Sequence, residues 1–233
     1  MGAQESRSGN SYFLFDGEII AQVDDRFFDH NASDAIATAT GRGEAIFFST
    51  EEGDFVLRHY RRGGLPAKFL DDRYLGISLA SSRAWREWHL LDELYRGGLP
   101  VPQPIAARVV KGGLLYRADL VTRRLNAQPL ADLLFGESIS DEMWGQLGET
   151  ISNFHKRGIY HADLNARNIM IASNGGFYLI DFDRGERREP ARSWQNANLD
   201  RLRRSLDKFR RNNHHFNFSE LNWSQLLDGY QAS

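Results

Sequence analysis

Two short segments in the second half of the chain carry side chains that suit phosphoryl transfer to a hydroxyl group. The first runs from His161 to Asn168 and contains Asp163, and the second is Asp181-Phe182-Asp183. Such a transfer needs oxygen ligands for the Mg²⁺ that neutralises the phosphates, and a residue that orients the nucleophile. The carboxylates and the amide of these segments have the spacing that this chemistry requires, so they predict a phosphoryl-transfer site.

A β-hairpin between the two segments would bring their side chains together. The runs 169–172 and 177–180 are apolar and strand-like, and Asn174-Gly175 between them is typical of a two-residue type I′ turn. That turn would place Asn168 opposite Asp181, with Cβ atoms roughly 4.5–5.5 Å apart. An amide oxygen and a carboxylate at the strand ends could then share a Mg²⁺. Polar residues that fall at strand ends by chance are the alternative.

Composition is that of an ordinary soluble globular protein. The chain has 233 residues, of which 41% are hydrophobic and 26% charged, enough for one substantial core or two small lobes. It has no cysteine, which excludes disulfides and thiolate metal sites and favours a reducing compartment such as the cytoplasm. We expect neither a secretory signal nor a membrane span, so any membrane association should be peripheral.

The net charge of the whole chain is only −2, but the chain contains one strongly basic segment. Residues 184–211 contain ten Lys/Arg and four Asp/Glu, a local charge of +6 that leaves −8 for the rest of the chain. Such a segment could steer an anionic substrate or lie near an acidic membrane surface. A solvated helix face is the alternative. Nothing in the sequence indicates a nucleic-acid partner, and the oligomeric state is not defined by it.

The first hundred residues have the order expected of a small antiparallel lobe that covers a nucleotide. Residues 45–49 and 54–60 are predicted strands, joined by a turn at 51–53. Gly41 and Gly43 come just before them and would let the backbone approach phosphates closely. The full G-x-G-x-x-G pattern is absent, however, so an ordinary hairpin turn explains these glycines equally well.

Two helices are predicted to position the candidate site. One begins near Ser82 and ends at glycines 97–98, with tryptophans and leucines at helical spacing on one face. The other begins after Ser140, a plausible N-cap, and ends near Gly158, so that it delivers the chain directly to His161.

The catalytic segments resemble the signature of protein kinases. In that signature an H-R-D-x-x-x-x-N loop supplies a base and a metal ligand, and a D-F-G aspartate binds Mg²⁺. The resemblance implies that Asp163 is the base and that Asn168 and Asp181 are the metal ligands. It also implies a structural role for His161, which would support the loop backbone from the core side.

The same resemblance implies a phosphate-binding pair in the first lobe. The V-A-I-K pattern of kinases best matches Val56-Leu57-Arg58, with arginine in place of lysine. Glu87 flanks the buried stripe of its helix, and a carboxylate aimed inward needs a partner. Glu87 would hold Arg58 against the ATP phosphates. A surface glutamate paired with Arg83 or Arg86 is the alternative.

Longer stretches are similar to the lipopolysaccharide-core kinases of the protein-kinase-like superfamily. This family implies ATP-dependent phosphorylation of the 4-hydroxyl of 3-deoxy-D-manno-octulosonic acid (Kdo) on a lipid A precursor, at the cytoplasmic face of the inner membrane. The similar stretches are the arginine-rich run Val56-Leu57-Arg58-His59-Tyr60-Arg61-Arg62-Gly63-Gly64, then Arg86-Glu87-Trp88, Val101-Pro102-Gln103-Pro104, the loop from His161 to Asn168, and Leu179-Ile180-Asp181-Phe182-Asp183-Arg184-Gly185.

Departures from protein kinases favour a small-molecule acceptor. Ala162 replaces the arginine that pairs with a phosphorylated activation loop, and no Ala-Pro-Glu follows Asp181. Asp183 replaces the glycine of D-F-G and removes a flexible position. Arg58 binds phosphate as a planar fork rather than as a point charge. A heptose or aminoglycoside-type kinase and a non-catalytic pseudokinase scaffold therefore stay as alternatives.

These observations predict an α+β, bilobal, protein-kinase-like fold. Residues 1–124 would form a nucleotide-covering lobe, an antiparallel sheet with one main helix, and residues 125–233 a mostly helical catalytic and acceptor-binding lobe. The expected enzyme is a phosphotransferase with an alcohol group as acceptor. It would use ATP and Mg²⁺, act on a Kdo-lipid A precursor and lie peripherally on the anionic inner membrane.

Overall fold

The computed structural model describes residues 2–30, 37–39, 45–60, 74–75, 78–112 and 115–233. The chain divides into two compact units, Met1–Glu93 with Pro102–Arg124, and Leu94–Val101 with Leu125–Ser233. Gly41 and Gly43 lie outside the described residues, as do residues 61–64 of the arginine-rich run. In the described part of the chain no helix is long and apolar enough to cross a membrane.

The first unit is built on an antiparallel sheet with the strand order β1-β2-β7-β8-β5-β4-β3, in which β6 also pairs with β8. The strands are β1 (Ala3–Ser8), β2 (Ser11–Asp16), β3 (Ala37–Ala39), β4 (Ala45–Thr50), β5 (Gly53–His59), β6 (Tyr74–Leu75), β7 (Pro104–Gly112) and β8 (Leu115–Arg123). Strands β4 and β5 confirm the predicted hairpin, since they pair from Ala45 opposite Arg58 to Thr50 opposite Gly53.

Aromatic side chains form the core on one face of this sheet. A short 3₁₀ helix, Asp25–Phe28, packs onto the sheet through its two phenylalanines. The Phe27 ring lies 5.5 Å from that of Phe48, and the Phe28 ring lies 6.0 Å from that of Phe13. Such edge-to-face and stacked pairs stabilise a core beyond the area that they bury. The ring of Phe55 on strand β5, which also carries Arg58, lies 5.9 Å from that of Phe27, so this strand packs against the same core.

Helix α1 (Arg83–Arg96) confirms the first predicted helix. Its apolar stripe is fully buried, with Trp88 and Leu91 both 0% exposed. The helix ends as the glycine pair indicated, because Gly98 takes a left-handed backbone with φ 75 and its N–H donates to the carbonyl of Tyr95.

The second unit is mostly helical. Its elements are β9 (Ala127–Pro129), α2 (Leu130–Leu133), α3 (Asp141–Lys156), β10 (Ile159–Tyr160), β11 (Ile169–Ala172), β12 (Phe177–Leu179), β13 (Glu186–Arg187), α4 (Arg192–Asn212) and α5 (Glu220–Ala232). The predicted N-cap of α3 is confirmed, since the Ser140 hydroxyl accepts a hydrogen bond from the N–H of Met143. The predicted composition of the two parts, a sheet with one main helix and then mostly helices, is confirmed.

Helices α3 and α5 pack unusually closely because glycines lie at their crossing. A Cβ added at Gly148 would lie 2.0 Å from the Leu226 carbonyl oxygen, and one added at Gly229 would lie 2.1 Å from the Gly145 carbonyl oxygen. Any larger residue would push the helices apart. This contact fixes α3, the helix that leads into the loop that contains Asp163.

Candidate active site

The loop from His161 to Asn168 is held by its own polar side chains. The Asp163 N–H donates to Nδ1 of His161 at 3.1 Å, and the Asp163 carbonyl accepts from the amides of Asn165 and Asn168, both at 2.9 Å. Asn165 Oδ1 in turn accepts from the Arg167 N–H at 2.8 Å. The backbone on both sides of Asp163 is therefore fixed by hydrogen bonds that do not use its carboxylate.

His161 supports the loop from the core, as the resemblance implied. Its side chain is buried, and Nε2 lies 2.9 Å from the carbonyl oxygen of Ile180. A carbonyl only accepts, so Nε2 carries the proton and Nδ1 accepts from Asp163. Burial lowers the pKa of His161, although the hydrogen bond to Ile180 and the charges of Asp181 and Asp163 act in the opposite direction. His161 is thus a neutral brace that ties the loop to the segment before Asp181.

A second buried network holds His161 from behind, and the sequence interpretation missed it. The Asn198 side chain on α4 donates to the His161 carbonyl at 2.9 Å, and its Oδ1 lies 3.3 Å from Nε2 of His155. Since that oxygen only accepts, His155 donates through Nε2 and accepts through Nδ1 from the Tyr230 hydroxyl at 2.8 Å. Burial lowers the pKa of His155 to about 4. The available signal was a polar residue, Asn198, beside the apolar stripe of α4.

The predicted hairpin forms, but its register is wrong by one residue. The pair Ile169 and Leu179 sets the register of β11 and β12, so Asn168 faces Ile180 and not Asp181. The Ile180 N–H donates to the Asn168 carbonyl at 3.0 Å. In a regular strand this slip would turn the Asp181 side chain to the other face. The alternation ends at Asp181, however, because its backbone is left-handed with φ 65.

The turn explains the slip. The Gly175 N–H donates to the Ala172 carbonyl at 2.8 Å, and the Ala172 N–H donates to the Gly176 carbonyl at 2.9 Å. This is a three-residue loop with Gly175 in the left-handed region at φ 84, and not a two-residue type I′ turn. The Asn174 side chain accepts from the Gly176 N–H at 3.0 Å, which stabilises the longer loop.

The Asp181-Phe182-Asp183 segment forms a tight turn over a buried phenylalanine. Phe182 is 1% exposed, and its ring lies 4.7 Å from the His161 ring. The Gly185 N–H donates to the Phe182 carbonyl at 2.7 Å. The backbone φ angle is positive at Asp181 and at Arg184 (φ 59), but not at Asp183. The turn therefore accepts a side chain at position 183, where D-F-G kinases have glycine.

The Asp163 carboxylate forms an ion pair with Arg201, which the sequence interpretation did not anticipate. Nε of Arg201 donates to Oδ1 of Asp163 at 2.9 Å, and Nη2 donates to the same oxygen. The two side chains are 48% and 47% exposed. Ion pairs at such exposure contribute little to stability, so the pair does not serve mainly to hold the fold.

In the first unit, Glu87 pairs with Arg58 as predicted. Nη1 of Arg58 donates to Oε1 of Glu87 at 2.9 Å, and the carboxylate is 1% exposed against 29% for the arginine. The Tyr60 hydroxyl donates to the other carboxylate oxygen of Glu87. The guanidinium of Arg83, the cation considered as an alternative, lies 5.1 Å above the Tyr60 ring. Arg58 is thus anchored by a buried carboxylate while part of it stays accessible to solvent.

The chain is similar to known proteins over most of its length. The model of the lipopolysaccharide kinase (Kdo/WaaP) family matches residues 27–230. The chain belongs to this family.

Curated relatives cover nearly the whole chain. A 3-deoxy-D-manno-octulosonic acid kinase of Haemophilus influenzae (strain PittEE) is 39% identical, over 97% of this chain and 99% of the relative. Proteins of the same name are 41% identical in Mannheimia succiniciproducens, over 95% and 97%, and 36% identical in Vibrio vulnificus (strain CMCP6), over 98% of each. The resemblance to lipopolysaccharide-core kinases and the kinase-like fold class are confirmed.

Asn168 and Asp181, the predicted metal ligands, offer an amide oxygen and a carboxylate, which are oxygen donors of the kind that Mg²⁺ accepts. The Asn168 amide nitrogen is used by the Asp163 carbonyl, so its oxygen is the atom that can face a cation. Within the described ranges no group of three or more His, Asp or Glu side chains could hold a metal by itself. One amide and one carboxylate match the way Mg²⁺ usually binds in kinases, where substrate phosphates and waters complete the octahedron.

Proposed function

We propose that the chain transfers the γ-phosphoryl group of ATP to the 4-hydroxyl of Kdo on a lipid A precursor. The observation that carries this proposal is the full-length similarity to proteins named 3-deoxy-D-manno-octulosonic acid kinase. The fixed loop around Asp163 supports the same proposal, because it holds the backbone of a half-exposed carboxylate, the group that accepts the proton of the alcohol in kinases.

Asp163 is the proposed base. Its backbone is fixed by three hydrogen bonds and its carboxylate is oriented by Arg201, so little ordering is left for substrate binding. Oδ1 is taken by Arg201, and among the described residues no donor bonds to Oδ2. Oδ2 is therefore the oxygen that orients the acceptor hydroxyl and takes its proton as the phosphoryl group is transferred.

Asn168, Asp181 and Arg58 are the proposed ligands for the nucleotide side of the reaction. Asn168 and Asp181 would hold Mg²⁺, which neutralises the charge that develops on the phosphates. Arg58, kept in place by the buried Glu87, would orient the phosphates. Its planar fork replaces the point charge of the kinase lysine, so it would bind phosphate through two parallel N–H groups.

The test of this function is an acceptor panel. The protein is incubated with ATP, Mg²⁺ and in turn a Kdo-lipid A precursor, a heptosylated core and an aminoglycoside, and products are identified by mass. We expect a gain of one phosphate on the Kdo-lipid A precursor alone, at the 4-position by NMR. An Asp163→Asn variant is the control for contaminating kinases. Phosphate on the heptosylated core or the aminoglycoside, or none on any acceptor, would refute the proposal.

Two arginines of the basic segment, residues 184–211, are paired with carboxylates and so contribute little free positive charge. Arg203 is bound by Asp207 at 2.9 Å and by Glu220 at 2.6 Å, and Arg210 is bound by the same two carboxylates at 3.2 Å. These two arginines are therefore largely neutralised. The basic face of α4 is formed instead by exposed residues at helical spacing, namely Arg204, Lys208 and Arg211.

We propose that this basic face of α4 docks peripherally on the anionic surface of the inner membrane, where the acceptor is anchored. Each basic residue near such a surface is worth about 1 kcal/mol. Replacing all three by glutamine should weaken binding to vesicles of phosphatidylglycerol and phosphatidylethanolamine by roughly 100-fold, and added salt should have a similar effect. The KM for ATP should stay the same. Unchanged vesicle binding at low salt would refute the docking. A matched triple glutamine control uses Arg7, Lys156 and Arg192.

A further inference from the structure

The guanidinium of Arg201 lies at the reacting end of the site and is only partly used. A guanidinium has five N–H donors, and two of them, on Nε and Nη2, point to Oδ1 of Asp163. The Arg201 side chain is 47% exposed, so its remaining N–H groups are accessible to a ligand. Within the described part of the chain, Arg201 forms no ion pair other than the one with Asp163. One arginine therefore contacts the proposed base and still offers a free fork to a ligand.

The chemistry of the proposed acceptor supplies a group that matches this fork. Kdo is a sugar acid, as the name of the relatives states, so the ring that carries the reacting hydroxyl also carries a carboxylate. Arginine binds carboxylates through two parallel N–H···O bonds, which fix orientation as well as position. A carboxylate held by Arg201 would place the hydroxyls of the same sugar beside Asp163.

We propose that Arg201 binds the acceptor carboxylate and thereby selects an acidic sugar over a neutral one. This inference rests on the proposed function. Asp163 holds the guanidinium in place through Nε and Nη2, and the acceptor takes the adjacent edge, where the remaining N–H groups of Nη1 and Nη2 form a second fork. Arg201 is then an acceptor-binding residue. The exposed position of the ion pair fits this role, because a pair that contributes little to the fold can serve recognition instead.

The test compares two acceptors that differ only in the charge of the sugar acid. One is the Kdo-lipid A precursor, and the other is the same molecule with its Kdo carboxylate converted to a carboxamide. For the wild-type protein we expect kcat/KM for the carboxylate to exceed that for the carboxamide by roughly 10- to 100-fold, since a charge-assisted hydrogen bond is lost. Arg201→Ala should bring the two acceptors to within about 3-fold of each other, and Arg201→Lys should keep part of the preference.

The ratio separates recognition from a merely structural role. If Arg201 only positioned Asp163, Arg201→Ala would slow both acceptors equally and leave the wild-type ratio unchanged, which would overturn the inference. A wild-type protein that phosphorylates both acceptors equally well would also overturn it, while leaving the proposed function intact. A wild-type protein that phosphorylates neither acceptor would refute the proposed function, and the inference with it. Arg192→Ala, an exposed arginine on the same helix, is the matched control and should keep the wild-type ratio.

Discussion

Arg58 and Glu87 form an ion pair in which the glutamate is more deeply buried than the arginine. We therefore expect the two single mutations to lower stability by different amounts. Arg58→Met removes a donor from a carboxylate that is 1% exposed, while Glu87→Gln leaves a guanidinium that is 29% exposed and can be solvated. Breaking a fully buried pair costs about 3–5 kcal/mol. Because water reaches the arginine, we expect a loss of about 2–4 kcal/mol in the free energy of unfolding for Arg58→Met and about 1 kcal/mol for Glu87→Gln.

The double variant tests whether the two residues act together. Arg58→Met with Glu87→Gln removes both charges of the pair, so its cost should fall short of the sum of the single costs by about 1–2 kcal/mol. Urea unfolding at one pH measures all three variants. Arg7→Met, on an exposed edge strand, is the control and should change stability by about 0.5 kcal/mol or less.

Kinetics of the same variants test the proposed phosphate contact. Each single variant should lower kcat/KM for ATP, and the double variant should lower it by less than the product of the two factors. Arg58→Lys should keep partial activity, because the charge survives while the fork does not. The reasoning would be refuted if Glu87→Gln cost more stability than Arg58→Met, or if the two effects were strictly additive.

Three further predictions concern the second unit. Asp163→Asn should lower kcat by roughly 10²–10⁴ with little change in KM for ATP, and near-normal turnover would remove Asp163 from the role of base. Asp181→Ala should abolish Mg²⁺-dependent nucleotide binding and Asn168→Ala should weaken it less, as measured by metal titration; unchanged Mg²⁺ dependence in both would refute the metal site. His155 has a pKa of about 4 in the folded protein and roughly 6.5 in the unfolded chain. The unfolded chain therefore binds a proton first, and the free energy of unfolding should fall by about 2 kcal/mol as the pH falls from about 6.5 to about 5. Urea unfolding across this range should show a shallower loss for His155→Gln than for the exposed control His215→Gln.

The sequence predicted the elements well where one local rule decided them. The N-cap at Ser140 and the glycine stop after α1 are local signals, and both occur where predicted. The hairpin between the two candidate site segments was also predicted, but its register depended on whether Gly175 lies in a two-residue or a three-residue loop. Both loops accept an Asn-Gly pair, so the sequence could not distinguish them, and the predicted opposition of Asn168 and Asp181 was wrong.

The parts of the site that sequence could not supply come from residues far apart in the chain. Arg201 and Asn198 belong to helix α4, whose sequence pattern indicated only an apolar stripe and a charged face. Arg201 nevertheless pairs with the proposed base, and Asn198 donates a hydrogen bond to the backbone of the loop. No spacing rule connects position 163 with position 201. Only packing of α4 against the loop brings them together, because the buried leucines Leu199 and Leu202 fix which side of the helix faces inward. Arg201 lies next to that stripe and is therefore half-exposed at the edge of the site, where a substrate can contact it.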